Sequence, residues 1–347
     1  MNIRSIIGIG LSVLLTACGG INYVGIETCN PGEVTFPPQA KKILMVNNAL
    51  PQPEDSGYTY TLLGVVQDTA TAKTDSALFD LCKACGRSIL DASYFEDVLL
   101  LHDPLREKGR SLSDIKLTQE QVADLCEANN VDAVVSLDKM LFSMNRKIEN
   151  IGGGFLSGKI KVKMNGIMRV YLPERIQPLA TILIEDSVFF EQIADNLRLL
   201  NLYLPVADDA LRIAGDYLGD KVASYFVPHW NEENRWFYSS ANSRWKEAMA
   251  YASAGNWDEA KEIWKLLYQS SSSDTKRAKL ASNIALTEEM QNRLNEAYDW
   301  AGKAANLFQK SEGIESDNTK LLKAYQEVLR LRIQSDQKLN IQIGNKD

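Results

Sequence analysis

The chain has 347 residues, of which 45% are hydrophobic and 24% are charged. This balance is typical of a folded protein and excludes a disordered tail, a collagen or a protein with many membrane spans. The 38 basic and 45 acidic residues give a net charge of −7, which argues against a nucleic-acid partner because such binders usually carry a basic excess. A chain of this length predicts two folded domains.

Residues 1–17 have the pattern of a secretory signal peptide. Arg4 is the only charged residue before Cys18, and the apolar run that follows Arg4 is too short to cross a bilayer as a stable helix. The motif Leu15-Thr16-Ala17-Cys18 resembles the lipobox of bacterial lipoproteins. That resemblance implies that Cys18 becomes the first residue of the mature protein and carries acyl chains that anchor it in a membrane. The alternative is an ordinary signal peptide with an unmodified Cys18.

Residues 18–40 are rich in glycine and proline, so we predict that they form a lipidated tether. In lipoproteins an aspartate directly after the lipidated cysteine favours retention in the inner membrane. Gly19 and Gly20 follow Cys18 here. The resemblance therefore implies a lipid-anchored protein of the cell envelope, at the outer membrane.

Four further cysteines could form two disulfides in three connectivities, because an exported protein meets oxidising conditions. They are Cys29, Cys82, Cys85 and Cys126. Cys82 and Cys85 form a C-x-x-C pattern, but they lie on the apolar face of a predicted helix instead of at its start, which favours a structural role over redox chemistry. A zinc site would also need Cys126 and His102. We predict neither a metal nor a cofactor.

Residues 41–230 predict an α/β domain with a mixed sheet and the element order β-α-β-α-β-β-β-α. The predicted elements are strand 42–47, helix 74–95, strand 97–102, a helix from Thr118, a strand from 131, strands 159–172 and 180–184, and helix 205–227. Thr118 and Gln121 have the spacing of a capping box. Strict alternation in 159–172 predicts a half-exposed antiparallel strand. The order resembles the periplasmic α/β domains of envelope lipoproteins related to curli-secretion and transport-auxiliary components.

Two chemical motifs in this domain are weak. The segment Gly153–Lys159 fits a phosphate-loop pattern, but Ile160 and a strand follow where a hydroxyl residue and a helix are required. We interpret 152–154 as a hairpin loop and expect no nucleotide. His102 follows a predicted strand, where α/β sites collect, but no nucleophile or metal motif accompanies it. A small-ligand or enzyme site near His102 is therefore the alternative function.

Residues 231–347 predict an all-α domain, because proline is absent after Ser239 and apolar residues recur at helical spacing. A first set of positions resembles a tetratricopeptide repeat: Ala248, Tyr251, Gly255, Trp257, Ala260 and Trp264. A degenerate second copy follows, with Ala285, Leu294, Ala297, Ala301 and Ala304, and with Asn292 near its turn. Residues 319–338 predict a fifth helix that acts as a solvated cap.

The resemblance implies that the first helix of each pair lines a groove for a partner. The groove positions are Asn242, Trp245, Met249, Lys279, Ser282 and Leu286. The aromatic junction 225–238 is interpreted as packing of the repeats onto the α/β domain; the alternatives are a membrane-interface belt or a ligand platform. The layout resembles a family of envelope lipoproteins of diderm bacteria. We predict a non-enzymatic, lipid-anchored protein that binds another envelope protein through its helical repeats.

Overall fold

The computed structural model describes residues 20–67 and 70–344. Its contacts divide the chain into two compact units. The helical unit contains residues 20–29 and 230–338, and the α/β unit contains residues 30–229 and 339–344. The predicted signal peptide and Cys18 lie outside the described residues. The fold is mixed α+β, with a sheet in the N-terminal region and a run of helices in the C-terminal third.

The described elements run in chain order as follows. The strands are β1 (Ile21–Asn30), β2 (Lys42–Asn47), β3 (Tyr58–Leu62), β4 (Val65–Val66), β5 (Asp97–Leu100), β6 (Ala133–Gly152), β7 (Phe155–Tyr171), β8 (Ala180–Ala194) and β9 (His229–Tyr238). The helices are α1 (Asp75–Asp91), α2 (Gln119–Asn129), α3 (Leu197–Tyr203), α4 (Ala207–Val222), α5 (Ser243–Ser253), α6 (Trp257–Ser270), α7 (Asp274–Met290), α8 (Leu294–Glu312) and α9 (Asp317–Gly344). Within the described ranges, no helix combines the length and the apolar character that crossing a bilayer requires.

The α/β unit is built on a mixed sheet of seven strands with β6 in a central place. The first part of β6 pairs in parallel with β2, and residues 144–148 pair in parallel with β3. Strands β6, β7 and β8 form an antiparallel meander of 20, 17 and 15 residues. The mixed sheet is therefore confirmed, but these three strands are longer than predicted. The turn between β6 and β7 has positive φ at Gly152, Gly153 and Gly154, which confirms the hairpin loop.

Helices cover both faces of the sheet near its parallel strands. Helices α1 and α4 pack closely because a Cβ at Gly219 would lie only 2.3 Å from the Leu81 carbonyl oxygen. Helix α2 packs on the other face with Val122 and Cys126 buried. The predicted capping box at its start is confirmed: the Thr118 side chain accepts from the Gln121 amide, and the Gln121 side chain accepts from the Thr118 amide. Such reciprocal bonds satisfy two amides that the helix itself leaves unpaired.

The helical unit is held together by small residues at its helix contacts. All of the alanines in the predicted repeat pattern are fully buried, which lets neighbouring helices approach closely: Ala248, Ala260, Ala285, Ala297, Ala301 and Ala304. The large side chains of Trp245, Trp264 and Phe308 fill the remaining core. Gly255 takes a φ of +80° between α5 and α6, and Asn292 takes a φ of +55° between α7 and α8.

The prediction of a tether over residues 18–40 is wrong for the described residues from Ile21 onward. Residues 21–30 form β1, which pairs with β9. Ile26 is buried in this ribbon, and Val34 and Phe36 are buried in the core of the α/β unit. Apolar side chains at these positions are removed from water, so the segment folds with the rest of the chain.

The end of α9 also contributes to the α/β unit. The Gln342 side chain is 1% exposed. Its Oε1 accepts from the Gly32 amide at 3.0 Å, and its Nε2 donates to the carbonyl oxygens of Gly32 at 2.9 Å and Val34 at 3.1 Å. These bonds satisfy backbone groups of a segment without regular structure, which would otherwise be buried without partners.

Candidate functional site

The six predicted groove positions do not line an open groove. Trp245, Ser282 and Leu286 are at most 1% exposed, and Met249 and Lys279 are half-buried. Asn242 is exposed and caps α5, because its side chain accepts from the Trp245 amide at 3.1 Å. The prediction is wrong at the three buried positions, since the surface that they share is already covered by the same chain.

The covering segment is the end of β9. The backbone carbonyl of Tyr238 accepts from Trp245 Nε1 and from Asn283 Nδ2, each at 2.8 Å. The Tyr238 amide donates to Asn283 Oδ1 at 2.7 Å. The side chain of Asn283 on α7 therefore bonds both the amide and the carbonyl of Tyr238, in the way that the backbone of a neighbouring strand would. Lys279 places its Nζ 5.6 Å from the centre of the Tyr238 ring.

The side chains of this segment pack into the helical core. Phe237 and Tyr238 are 3% and 2% exposed, and the Trp236 ring lies 5.3 Å from the Tyr325 ring. The sequence indicates an aromatic junction at 225–238 but not where it packs. Its last residues pack on α5 and α7, the first helices of the two predicted pairs. The run Trp236-Phe237-Tyr238 could have predicted this packing, because three aromatic residues directly precede helices whose apolar surface must be buried.

A buried charge network fixes the same segment to α7 and α9. The Glu289 carboxylate is fully buried and accepts from Arg235 Nε at 3.0 and 3.1 Å, from Arg332 and from the Tyr325 hydroxyl at 2.6 Å. Arg235 also pairs with Glu233 at 2.7 Å. Burial, and then the charge of Glu289, hold the pKa of Tyr325 well above its usual range. Such a network stabilises one arrangement and offers no free base.

The last helix carries an exposed apolar stripe. Leu321, Val328 and Leu331 on α9 are 37%, 36% and 48% exposed, and Ala324 between them is also exposed. Their spacing places them on one face of the helix. Leu322, Tyr325 and Leu329 on the other face are buried. The predicted solvated cap thus bears an apolar face outward, which is unusual because terminal repeats normally present a polar outer surface.

The α/β unit contains a second buried polar network, at the carboxyl ends of β2 and the parallel part of β6. Asp138 is fully buried at a bulge in β6. Its Oδ1 accepts from Ser136 at 2.6 Å and from Asn48 at 3.0 Å, and its Oδ2 accepts from Arg169 at 2.8 Å and from the Tyr171 hydroxyl at 2.5 Å. Both oxygens are saturated, so Asp138 holds the strands together and is not poised as a general base.

Arg169 links this network to the segment that follows β5. Its Nη1 and Nη2 donate to the two carboxylate oxygens of Asp114 at 2.6 and 2.7 Å, and it is 3% exposed. The bond to Arg169 lowers the pKa of Asp114 below its usual range. The sequence pattern did not indicate Arg169 or Asp114 as network residues. Apolar and polar residues alternate along β7, and Arg169 falls in the set that this alternation predicts to face solvent.

An open groove of about 620 Å³ lies beside β6 and β7. It is lined in part by Gln52, Arg110, Phe142 and Asn165. The Gln52 side chain donates to the Phe142 carbonyl at 2.9 Å and accepts from the Phe142 amide at 2.8 Å, so it serves as a structural clamp. These polar groups do not converge on a reactive centre.

His102 is placed outside both networks. Its side chain is exposed, and its ring lies edge-on to Phe79 with the ring centres 5.0 Å apart. The alternative function requires an enclosed site around His102, and the structure gives this residue an open position.

The four described cysteines are free thiols, so they form neither of the possible disulfides. Cys82 and Cys85 are buried, and burial raises the pKa of the Cys82 thiol to about 12. A thiol held in its protonated form is a poor nucleophile and a poor metal ligand. In the part of the chain that the structure describes, no cluster of three histidine, cysteine, aspartate or glutamate residues is arranged to hold a metal ion.

Two protein families match the sequence. One, described as a domain of unknown function (DUF8603), matches residues 40–238, and the other, also described as a domain of unknown function (DUF6340), matches residues 246–331. No curated protein matches the sequence significantly. The first match extends from just before β2 to the last residue of β9 and covers more than half of the chain. The chain therefore belongs to the DUF8603 family.

Proposed function

We propose that this protein is a non-enzymatic, lipid-anchored component of the bacterial cell envelope that binds another envelope protein through its helical unit. The proposed anchor is Cys18, at the lipobox-like motif, and the proposed membrane is the outer membrane. The proposed docking surface is the apolar stripe of α9, which replaces the groove positions predicted from the sequence. The proposal requires no cofactor, no nucleotide and no nucleic acid.

The helix pairs α5–α6 and α7–α8 support a tetratricopeptide-like arrangement. In the first turn the Asn256 amide donates to the Tyr251 carbonyl at 2.9 Å, and in the second the Arg293 amide donates to the Glu288 carbonyl at 2.8 Å. The donor and the acceptor of the second bond each lie 37 residues after those of the first bond. The same interval separates Ala260 from Ala297. Equal bonding at equal spacing is what two copies of one helical pair would produce.

The observation that carries the proposal is the outward face of α9. In a repeat array each helix buries an apolar stripe against the next, and the last helix ends the array with a polar surface. Here Leu321, Val328 and Leu331 remain exposed. Charged residues of both signs flank the stripe at exposed positions: Lys320, Lys323, Arg330 and Glu327, which pairs with Arg330 at 2.6 Å. An amphipathic helix with an apolar face bordered by charges of both signs fits this surface.

Photo-crosslinking in cells tests this surface. A benzoyl-phenylalanine replaces Leu331 in the full chain, and a matched control replaces Gln337, an exposed residue of the same helix that lies on a different face from the stripe. We expect one discrete adduct with an envelope protein from Leu331→benzoyl-phenylalanine, and its loss when Val328→Glu is added. Equal adducts from both positions, or an adduct that survives Val328→Glu, would contradict a docking role for the stripe.

The anchor is tested separately by Cys18→Ala. Because the thiol carries the proposed diacylglycerol, the variant should leave the membrane fraction or remain unprocessed, and should lose palmitate label. Fractionation and labelling that match the wild type would refute the anchor. This result would not affect the docking stripe, since the two lie in different parts of the chain.

A further inference from the structure

Exposed apolar side chains collect at one end of the sheet in the α/β unit. We call this the distal end, defined by Leu63, Val65, Ile151, Phe155 and Ile193. Their exposed fractions are 57%, 63%, 53%, 48% and 55%. They come from two hairpin turns and from the end of the edge strand β8. Single exposed apolar residues are common, but a cluster drawn from four separate strands and a turn marks a contact surface.

The strand register brings these residues to the same end. Leu63 follows β3, and its amide donates to the Ile148 carbonyl of β6 at 2.8 Å. Glu149, one residue on, pairs with Ser157, which in turn pairs with Ile193 of β8. The β6–β7 turn at 152–154 lies about 13 Å beyond Ile148, at about 3.3 Å for each residue. The distal end is therefore two protruding turns with the end of β8 beside them.

The β3–β4 turn places an apolar side chain where the backbone disfavours it. Leu63 and Gly64 have φ angles of +48° and +86°. Two positive φ angles are those of the two central residues of a type I′ turn, and the first of these residues is normally asparagine or aspartate. A leucine in this left-handed conformation is strained, and its side chain is exposed instead of filling the core. Folding alone does not account for a leucine at this position.

The shape and charge of the distal end favour a lipid surface over a protein partner. An added Cβ at Gly64, Gly152 or Gly154 would have no atom within 4 Å, so both turns project into open space. Residues 58–67 carry no charge. The adjoining segments 145–161 and 189–198 contain five basic and three acidic residues in a chain of net charge −7. Projecting apolar tips with a basic excess behind them are typical of interfacial insertion into anionic bilayers.

We propose that the distal end of the sheet is a second membrane contact, which inserts its apolar turns into the headgroup region of an anionic bilayer. This contact goes beyond the lipid anchor of the proposed function, although it rests on that function for the presence of a nearby membrane. Lys147 and Lys159 lie behind the tips, opposite each other in the β6–β7 pair. They pair with Glu149 at 2.6 Å and with Glu191 at 2.9 Å, and the bilayer phosphates would compete with these carboxylates for the two lysines.

Vesicle flotation tests the contact without the acyl anchor. The protein is the chain from Gly19 to Asp347, which keeps every described residue. The vesicles contain phosphatidylethanolamine and phosphatidylglycerol, and a second set contains phosphatidylcholine alone. We expect the protein to float with the anionic vesicles, and Ile151→Ser with Phe155→Ser to reduce the bound fraction about tenfold or more. Leu183→Ser is the matched control, because Leu183 is 74% exposed on β8 far from the distal end.

Several outcomes would overturn the proposal. They are the absence of wild-type binding to anionic vesicles, equal binding by the double variant, and an equal loss in Leu183→Ser. Lys147→Gln with Lys159→Gln should weaken binding to anionic vesicles without affecting the other set. Thermal unfolding of each variant should match the wild type, because the changed side chains are exposed. A distal end that binds a purified envelope protein but no vesicle would refute the lipid contact while leaving the anchor at Cys18 untouched.

Discussion

Replacing Glu289 with glutamine should destabilise the helical unit strongly. The carboxylate is fully buried and accepts from Arg235, Arg332 and Tyr325. Glu289→Gln keeps the shape of the side chain but removes the counter-charge of Arg332 and one of the two carboxylates that pair with Arg235; the two arginine side chains are only 15% and 7% exposed. Removal of one partner from a buried ion pair costs about 3–5 kcal/mol. Arg235 retains Glu233 at 2.7 Å, so we expect about 3 kcal/mol.

Urea unfolding followed by tryptophan fluorescence measures this loss selectively. The chain has six tryptophans, and all of them lie between Trp230 and Trp300, within the helical unit. The fluorescence transition of Glu289→Gln should therefore move to lower urea, while the α/β unit is followed independently by labelling of its buried thiols. Loss of the Glu289 charge should also lower the pKa of Tyr325, because that charge helps to raise it.

The matched control is Glu327→Gln on the surface of α9. Glu327 pairs with Arg330 at 2.6 Å in an exposed i,i+3 pair, and such pairs contribute little. Its fluorescence transition should coincide with that of the wild type. If Glu289→Gln moves the midpoint no further than this control does, the network is not what fixes β9 to the helices.

Three further predictions concern the turns, the covering strand and the thiols. Asn283→Ala should cost about 2 kcal/mol, measured by urea unfolding, because the buried Tyr238 amide loses its acceptor and the Tyr238 carbonyl keeps only its bond from Trp245 Nε1; an unchanged midpoint would refute this. Gly255→Val should cost more than about 1 kcal/mol, measured by thermal unfolding, because a β-branched residue tolerates positive φ poorly; a wild-type melting temperature would show that the turn relaxes. Iodoacetamide at mildly alkaline pH should label the partly exposed Cys29 in the native protein and Cys82 only after unfolding, since burial raises the pKa of Cys82 to about 12; native labelling of Cys82 would contradict its burial.

Local signals predicted the elements that depend on neighbouring residues. The capping box of Thr118 and Gln121 placed the start of α2, and the apolar run at 42–47 placed β2. Gly255 marked a turn because positive φ favours a residue without a side chain. In each case the stabilising interactions lie within a few positions along the chain, so the sequence pattern contains them.

Features that depend on distant pairing were missed. Strand β1 pairs with β9 across some 200 residues, and its mixture of polar and apolar residues has no clear period without that partner. Arg169 has the pattern of an outward residue of β7 and is buried because Asp114 and Asp138 lie over it. The prediction of an open groove was wrong for the same reason, because it depends on contacts with a distant segment. The spacing of Trp245 and Ser282 indicates which surface they share, but it does not indicate that residues 236–238 occupy it.

The bonds of Gln342 to Gly32 and Val34 have a consequence for how the protein can be divided. The α/β unit is completed by residues 339–344, which follow the helical unit in the chain, and the helical unit includes residues 20–29, which precede the α/β unit. Neither unit corresponds to one uninterrupted stretch of chain, so a fragment cut near residue 229 would expose β1 without β9 and leave the Gly32 backbone without Gln342. A chain that folds from its N-terminal side would therefore complete the α/β unit only once Gln342 is available to bond Gly32 and Val34.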